Sequence, residues 1–580
     1  MKTFASHIFS RWILLVALLC AGLLPSALLA QTAATYHARA DQALQSFLLK
    51  FWNGGSQYLR ERYPDTGSLT GPWTYANGWD AVLDGVERTG GQQYAGLIES
   101  FYLGENQRYG WILGYYDDEC WLTLALIRAY DLTANLTYLA KAQTIFADIQ
   151  GGWDSTRNYL WWDKAHSQYA TAANAGAALA GAKLYQRTTN GAYLTFAQQV
   201  YSRWFANMVD PTTFQVCDHL GTDGVTKTWW KFTYNEGLMI GASVALYEAT
   251  GTTTYLTNAH HIANFMINNE FVSTAYGKVL IDGSNSTNTD DAHEFKGPAY
   301  RYLMNLYKKD TTKTQYYTVL KNSADAIWNL ARETNLNVFA VNWAGPAQTN
   351  VDQQQDNAAC MGLNLFAEQF GAYPGSGIPA NQFEAENATI HNILLEANGS
   401  GFTGWGYLAG WNASSQWVDF KVNFPTPGGR TLTFRYAAGA GNASRLIAIN
   451  GSNAFTNLAF ASTGSWTSYN SVSVAYTFPA GLNTISVMIN PAFGNANYLN
   501  LDNLTVTDLR ITGLTVAPGG AVQISWNAVP GQTYHLQYAT PPIGVTWNNL
   551  GNVITATNTT ASATDTVGGN TARYYRLRTP

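Results

Sequence analysis

Glu119-Cys-Trp-Leu-Thr-Leu-Ala-Leu-Ile-Arg-Ala-Tyr-Asp-Leu132 is followed at once by Thr133-Ala-Asn-Leu-Thr-Tyr138 and a second apolar run to Phe146. The first run is apolar almost all round, so a helix built from it belongs in an interior. The Thr-x4-Tyr step between two such runs reads as the tight turn of a helical hairpin. The same step recurs at Thr89/Tyr94, Thr133/Tyr138, Thr188/Tyr193, Thr250/Tyr255 and Thr311/Tyr316, 44 to 62 residues apart. That is the mark of a repeat architecture. Counting outward from these turns gives about twelve helices between residues 36 and 370, starting near 36, 77, 92, 118, 136, 168, 191, 234, 253, 294, 314 and 352. The even-numbered helices are the more apolar. The pattern predicts a closed (α/α)6 barrel with even helices inside and odd ones outside, an open solenoid of hairpins being the alternative.

This topology gathers the turns at one end of the barrel and the N-termini of the inner helices at the other. At that second end the chain places Trp73–Asn77, Tyr115–Asp118, Trp161–Tyr169, Trp229–Glu236, Asp291–Gly297 and Trp343–Asp356. Free N–H groups at helix starts add hydrogen-bond donors there.

The chain has 580 residues, too many for one core. Only 12% of them are charged and the net charge is -5, so there is no basic field for nucleic acid or an anionic membrane. The 20 Trp and 35 Tyr cluster beside Gly, Asn and Asp, as at Trp73, Tyr75, Trp79, Trp161, Trp162, Trp229 and Trp230. Aromatic faces in loops suit flat, neutral, hydroxylated ligands such as sugars. Residues 1–30 read as a signal peptide: Lys2 and Arg11, the apolar stretch Trp12–Leu24, then Leu28-Leu29-Ala30 as the cleavage site. The apolar stretch is short for a membrane span, and Leu19 before Cys20 argues against lipidation. The expected mature chain is soluble, monomeric and exported, extracellular or periplasmic. Cys120, Cys217 and Cys360 cannot all pair and show no C-x-x-C spacing, so buried free thiols are expected.

The barrel is expected over residues 31–371, followed by a Gly/Pro-rich linker at 372–381. From 382 to 508 the pattern turns to period two, as in Trp417-Val-Asp-Phe-Lys-Val422 and Thr431-Leu-Thr-Phe-Arg-Tyr436, which predicts a β-sandwich. Residues 509–580 repeat the β pattern at the size of a fibronectin type III-like module.

Tyr115-Tyr-Asp-Asp-Glu119 stands at the start of the most apolar helix. One Asp there would serve as a cap. Two, with a Glu after them, put three acids where a buried helix meets the mouth. Glycoside hydrolysis needs two carboxyl groups in different protonation states, about 5 Å apart for a retaining reaction. Helix N–H groups favour the ionised form of one, and its charge then raises the pKa of the other. The pattern alone leaves capping and catalysis both open. No G-x-S-x-G, H-E-x-x-H, P-loop or dinucleotide-binding fingerprint occurs.

A resemblance adds to this. Trp73-Thr-Tyr-Ala-Asn77, Gly114-Tyr-Tyr-Asp-Asp-Glu-Cys-Trp121, Tyr159-Leu-Trp-Trp162 with Asn174, Thr233-Tyr-Asn-Glu-Gly237 and Phe295-Lys-Gly297 follow one another as in glycoside hydrolase family 76, the α-1,6-mannanases. The chain departs from that family at Glu236, where Gln is commoner, and at Cys120. The resemblance implies an (α/α)6 fold and a retaining, endo-acting hydrolase of α-mannan. It implies Asp117 as nucleophile and Asp118 as general acid/base, without a catalytic cofactor. It also implies Trp73, Asn77, Tyr116, Trp162, Asn174 and Asn235 around the sugar. The β-sandwich resembles carbohydrate-binding modules of families 6 and 35. That resemblance implies a ligand cleft at Tyr407, Trp466 and Asn500, and one structural Ca2+ held by Glu384, Glu386 and Asp502. The competing readings are a transglycosidase, an (α/α)6 uronyl hydrolase or lyase, and a non-catalytic glycan-binding protein. An acidic sugar would call for Arg and Lys at the mouth.

Overall fold

The computed structural model describes residues 33–282, 290–490, 492, 497–540, 546–567 and 572–579. The stretch read as a signal peptide lies outside the described residues. The described chain forms two compact units: 33–52, 58–93 and 101–375 in one, and 53–57, 94–100 and 376–579 in the other.

The first unit is helical. Helix α1 covers 33–51. It is followed by α2 (Pro72–Thr89), α3 (Leu97–Arg108), α4 (Tyr116–Thr133), α5 (Leu136–Gly151), α6 (Thr171–Thr188), α7 (Gly191–Met208), α8 (Thr233–Thr250), α9 (Thr253–Asn269), α10 (Lys296–Lys309), α11 (Thr314–Ala326) and α12 (Gln353–Ala367). All twelve begin within five residues of the positions read from the sequence. The largest offsets have local causes: Pro72 suits a helix start and opens α2 early, while a left-handed Tyr94 delays α3.

The Thr-x4-Tyr step has one recurring geometry. Thr89, Thr133, Thr188 and Thr250 each end an inner helix, and each hydroxyl donates to the carbonyl four residues back, at 2.6–2.8 Å. At Thr133, Thr188 and Thr250 the hydroxyl then accepts the N–H two residues on. The fifth copy differs, because α10 stops at Lys309 and Asp310, not Thr311, accepts the turn's Thr312 N–H.

Inner helices are buried all round, whereas outer helices such as α5, α7 and α9 bury one face. The inner helices pack in the order α2, α4, α6, α8, α10, α12, and α12 packs back on α2. The ring is therefore closed, and the open solenoid is excluded. Small residues allow the close approach: a Cβ at Gly237 on α8 would lie 2.7 Å from Ala299 Cα on α10. At the turn end of the barrel an ion-pair network joins three inner helices. Asp84 on α2 receives both guanidinium nitrogens of Arg301 from α10 (2.6 and 2.8 Å) and one of Arg128 from α4 (2.7 Å).

Cys120, Cys217 and Cys360 are buried free thiols, as expected. Among the described residues no helix is long and apolar enough to cross a membrane.

The second unit is built of β-strands. One sheet carries strands Leu394–Glu396, Tyr407–Ala409, Asn500–Asp508, Gly428–Ala437 and Asn470–Phe478 in that order, with Gln382–Glu384 also paired to Asn500–Asp508. The other runs Thr389–His391, Trp417–Phe424, Gly481–Met488, Ala443–Ile449 and Ser452–Phe460. Alternate residues, such as Val418, Phe420 and Val422, are buried, as a half-buried strand requires. The last segment has a three-stranded sheet (Ile511–Val516, Ala521–Asn527, Thr560–Thr566) and a second group around Thr533–Ala539. They share a core of Ile524, Trp526, Tyr534 and Leu536.

Candidate active site

The inner-helix N-termini converge on a cavity of about 410 Å3. Five of the six inner helices reach it: Trp73 from α2, Asp117, Asp118 and Trp121 from α4, Ala172 from α6, Tyr234 from α8, and Asp291 and Phe295 just before α10. Tyr115, Trp162, Asp218 and Trp230 complete most of the wall, and no Arg or Lys lines it among the described residues. The sixth segment, Trp343–Asp356, contributes nothing to the lining. Trp343 and Asp356 are buried in the core instead, because Asp356 is spent holding Phe339 N–H.

Capping does not explain the acids. The residue at the cap position of α4 is Tyr115, whose side chain makes no capping bond, and Asp117 to Glu119 lie in the first turn. Asp117 Oδ2 accepts the Trp162 indole N–H at 2.7 Å. Burial pushes the Asp117 carboxyl up to about 7, opposed by that indole and by backbone N–H groups. Burial also holds Asp118 well above the usual carboxylate range, reinforced by the charges of Asp117, Glu105 and Asp291. Of the two, Asp117 has the donors that favour a carboxylate, and Asp118 has the charges that favour a proton.

Trp73 and Trp162 line the cavity, whereas Asn77, Tyr116, Asn174 and Asn235 do not. The reason is the same for all four: each is buried and already engaged. Asn77 donates to the Trp73 carbonyl on its own helix. Asn174 pairs with both backbone groups of Leu160 and so fastens the Trp153–Leu160 hairpin to α6. Asn235 donates to Asp218. The Tyr116 ring packs against Gly152. Tyr75 and Trp79, read as loop aromatics, are fully buried in α2. Sequence reasoning did not single out Asp218, Asp291, Tyr115 or Trp230 as site residues. Asp218 is held by Tyr234 Oη (2.8 Å), Asn235 Nδ2 (3.1 Å) and His219 Nδ1 (2.8 Å). The Trp229-Trp230 doublet was the available signal, since both rings stay exposed.

In the β unit, Tyr407 and Asn500 are buried, and Tyr407 Oη bonds Asn398 at 2.5 Å. Only Trp466 of that trio keeps an exposed ring, which packs against Gly439. Glu384, Glu386 and Asp502 come together around Thr403–Gly404. Burial raises all three, Glu384 to about 7. As placed they form no three-ligand metal group among the described residues, because Arg435 takes Asp502 and Thr403 Oγ1 bridges Glu384 and Asp502. Glu386 Oε2 is buried without a hydrogen-bond partner.

Comparison with known proteins agrees with the order of a helical unit followed by a β unit. Residues 384–508 match the model of carbohydrate binding module family 6. An exo-beta-D-glucosaminidase of Amycolatopsis orientalis is 33% identical over 137 residues, which is 23% of this chain and 13% of that enzyme. A mannan endo-1,6-alpha-mannosidase of Candida glabrata is 26% identical over 223 residues, or 36% of this chain and 49% of the relative. The chain thus spans half or less of these relatives. The Lin0763 protein of Listeria innocua aligns with 58% of this chain and 99% of its own at 25% identity and a TM-score of 0.53. The alpha-1,6-mannanase GH76A of Salegentibacter sp. HEL1_6, solved as an inactive variant with alpha-1,6-mannotriose, aligns with 58% of this chain and all of its own. At 22% identity and a TM-score of 0.53 it is a likeness of fold. Because residues 35–373, more than half of the chain and the whole of its closed helical ring, match the model of glycosyl hydrolase family 76, the chain belongs to that family of glycoside hydrolases.

Proposed function

We propose that this chain is a secreted, retaining, endo-acting hydrolase of α-1,6-mannan in which Asp117 is the nucleophile and Asp118 the general acid/base. The observation that carries the reading is the adjacent carboxyl pair lining an aromatic cavity, Asp117 taking the Trp162 indole N–H and Asp118 kept protonated by burial and by neighbouring negative charge. The Salegentibacter relative, inactivated and described as an α-1,6-mannanase, carries its two inactivating substitutions on adjacent aspartates.

In the first step the Asp117 carboxylate attacks the anomeric carbon. The glycosidic C–O bond breaks and Asp118 gives its proton to the departing oxygen. In the second step Asp118, now a carboxylate, takes a proton from water. The hydroxide oxygen displaces Asp117 from the anomeric carbon, and both carboxyls return to their starting states. A neutral sugar is favoured over a uronic acid by a lining without Arg or Lys among the described residues. Trp73 and Trp162 supply ring faces for stacking.

Reducing-end release from linear α-1,6-mannan, with product sizing and anomer analysis by NMR, tests the reading. Short manno-oligosaccharides released first as the α-anomer are expected. No release, or release of the β-anomer, would overturn the substrate or the retaining course respectively.

For the β unit we propose one Ca2+ held by Glu384, Glu386 and Asp502, with Arg435 moving off Asp502. Three buried acids with raised pKa values and a single cation, Arg435, between them are costly, and Ca2+ takes carboxylate oxygens readily. Adding Ca2+ to chelator-treated protein is expected to raise the melting temperature of this unit, and Glu386→Gln to remove the rise. An equal rise in that variant would argue against the site.

A further inference from the structure

Glu119, the third acid of the run, takes no part in the two-carboxyl chemistry. It does not line the cavity and is fully buried. Its Oε1 accepts the Leu113 backbone N–H at 2.8 Å and Lys164 Nζ at 3.1 Å. Lys164 lies at the surface and also reaches Asp148 on α5 at 2.6 Å, while its own N–H donates to the Gly114 carbonyl at 3.0 Å. Between these bonds the Tyr116 N–H donates to the Trp162 carbonyl at 2.9 Å, and Tyr115 pairs with Asp163 as an antiparallel bridge. Two short segments are therefore laced together. One, 113–119, carries Asp117 and Asp118; the other, 162–168, carries the indole that donates to Asp117.

A carboxyl buried to this degree is expensive, and its pKa is pushed up to about 7 by burial despite Leu113 N–H and Lys164. An apolar residue would fill the same helical position without that cost. The lacing supplies the reason for an acid.

We propose that Glu119 is a positioning residue: through Lys164 it holds the Trp162 segment against the start of α4 and so keeps the indole N–H on Asp117. The inference rests on the reading of Asp117 as nucleophile. Its direction can be worked out. The indole favours the ionised form of Asp117, so losing it raises the pKa of that group and moves the acidic limb of the rate profile to higher pH. Removing the Glu119 charge by itself acts the other way, because a like charge nearby raises a carboxyl pKa. The other groups facing Asp117 are Asp118, Asp291, Tyr234 and Cys120, of which Asp118 and Cys120 also feel the Glu119 charge.

Glu119→Gln, Lys164→Met and Trp162→Phe, with the double variant Glu119→Gln/Trp162→Phe, would be assayed across pH on the glycan the wild type cleaves. Lys164 is at the surface, so its variant reports even if position 119 proves intolerant. A hydrogen bond to an ionised group is at stake, so each single change is expected to lower kcat by about 10- to 100-fold, with little change in KM for Glu119→Gln and Lys164→Met, whereas Trp162→Phe also trims a stacking face. Lys164→Met and Trp162→Phe, in which the two effects do not oppose, should each move the acidic limb upward, and the double variant should go no further than Trp162→Phe. A limb that stays or moves down in Lys164→Met or Trp162→Phe, or effects that multiply in the double variant, would overturn the proposal. Hydrogen exchange of peptides spanning 111–118 and 160–169 decides the same point without any substrate. Faster exchange in Glu119→Gln and Lys164→Met is expected, and unchanged exchange refutes the lacing. Failure of the wild type on α-mannan would count against the proposed substrate and leave the exchange result standing.

Discussion

Asp118→Asn is expected to lower kcat on α-1,6-mannan by about 10²–10⁴-fold, the range for loss of a positioned acid/base, and Asp117→Asn by at least as much. The reason is the division of labour set by their surroundings. Asp117 has the Trp162 indole and backbone donors, so it is the one that ionises first, near its pKa of about 7. Asp118 has burial and neighbouring negative charge, so it keeps its proton. The two variants differ in how a small anionic nucleophile such as azide acts. With Asp118→Asn the glycosyl enzyme still forms on an activated substrate, so azide traps it with retention at the anomeric carbon. With Asp117→Asn no such intermediate exists, so azide attacks the substrate directly and inverts. NMR of the glycosyl azides reads the configuration. Identical stereochemistry from both variants would sink the assignment of roles, and full activity in either would sink the pair.

Asp84→Ala is expected to destabilise the helical unit by about 3–5 kcal/mol, the usual cost of removing one partner from a buried ion pair. Asp84 is 3% exposed and joins Arg301 of α10 and Arg128 of α4 to α2. Its removal leaves the buried Arg301 and the part-buried Arg128 short of a counter-charge on the ring of inner helices. Chemical denaturation followed by far-ultraviolet circular dichroism measures the loss. The network lies at the turn end, away from the cavity lining, so kcat per folded molecule should stay near wild type. A loss under about 1 kcal/mol would mean that Asp80 and Glu87, which also pair with Arg128, compensate.

What the sequence determined by itself was the scaffold and the acids. The Thr-x4-Tyr repeat is local chemistry: a hydroxyl that ends its own helix and receives the next N–H. It therefore survives without tertiary information and fixes the hairpin count. The all-round apolarity of Glu119–Leu132 likewise identified an inner helix, because only a helix walled on every side tolerates it. Closure of the ring was expected, with an open solenoid as the alternative, and only α12 meeting α2 across almost three hundred residues decided between them.

Side-chain direction was the part only the tertiary structure decided. Asn77, Asn174 and Asn235 stand beside the right loops in sequence, yet each turns into the core to satisfy a buried backbone group or Asp218. Buried polar groups must be paired, and that demand took these amides before any ligand could. Asp218 reaches the cavity from a segment without a local signal, and Asp291 from a segment that the sequence placed at the mouth without marking out its acid. Glu119 shows the same division: its presence beside the pair is plain in the sequence, but its partner Lys164 lies 45 residues away, and only the folded chain brings that ammonium to it.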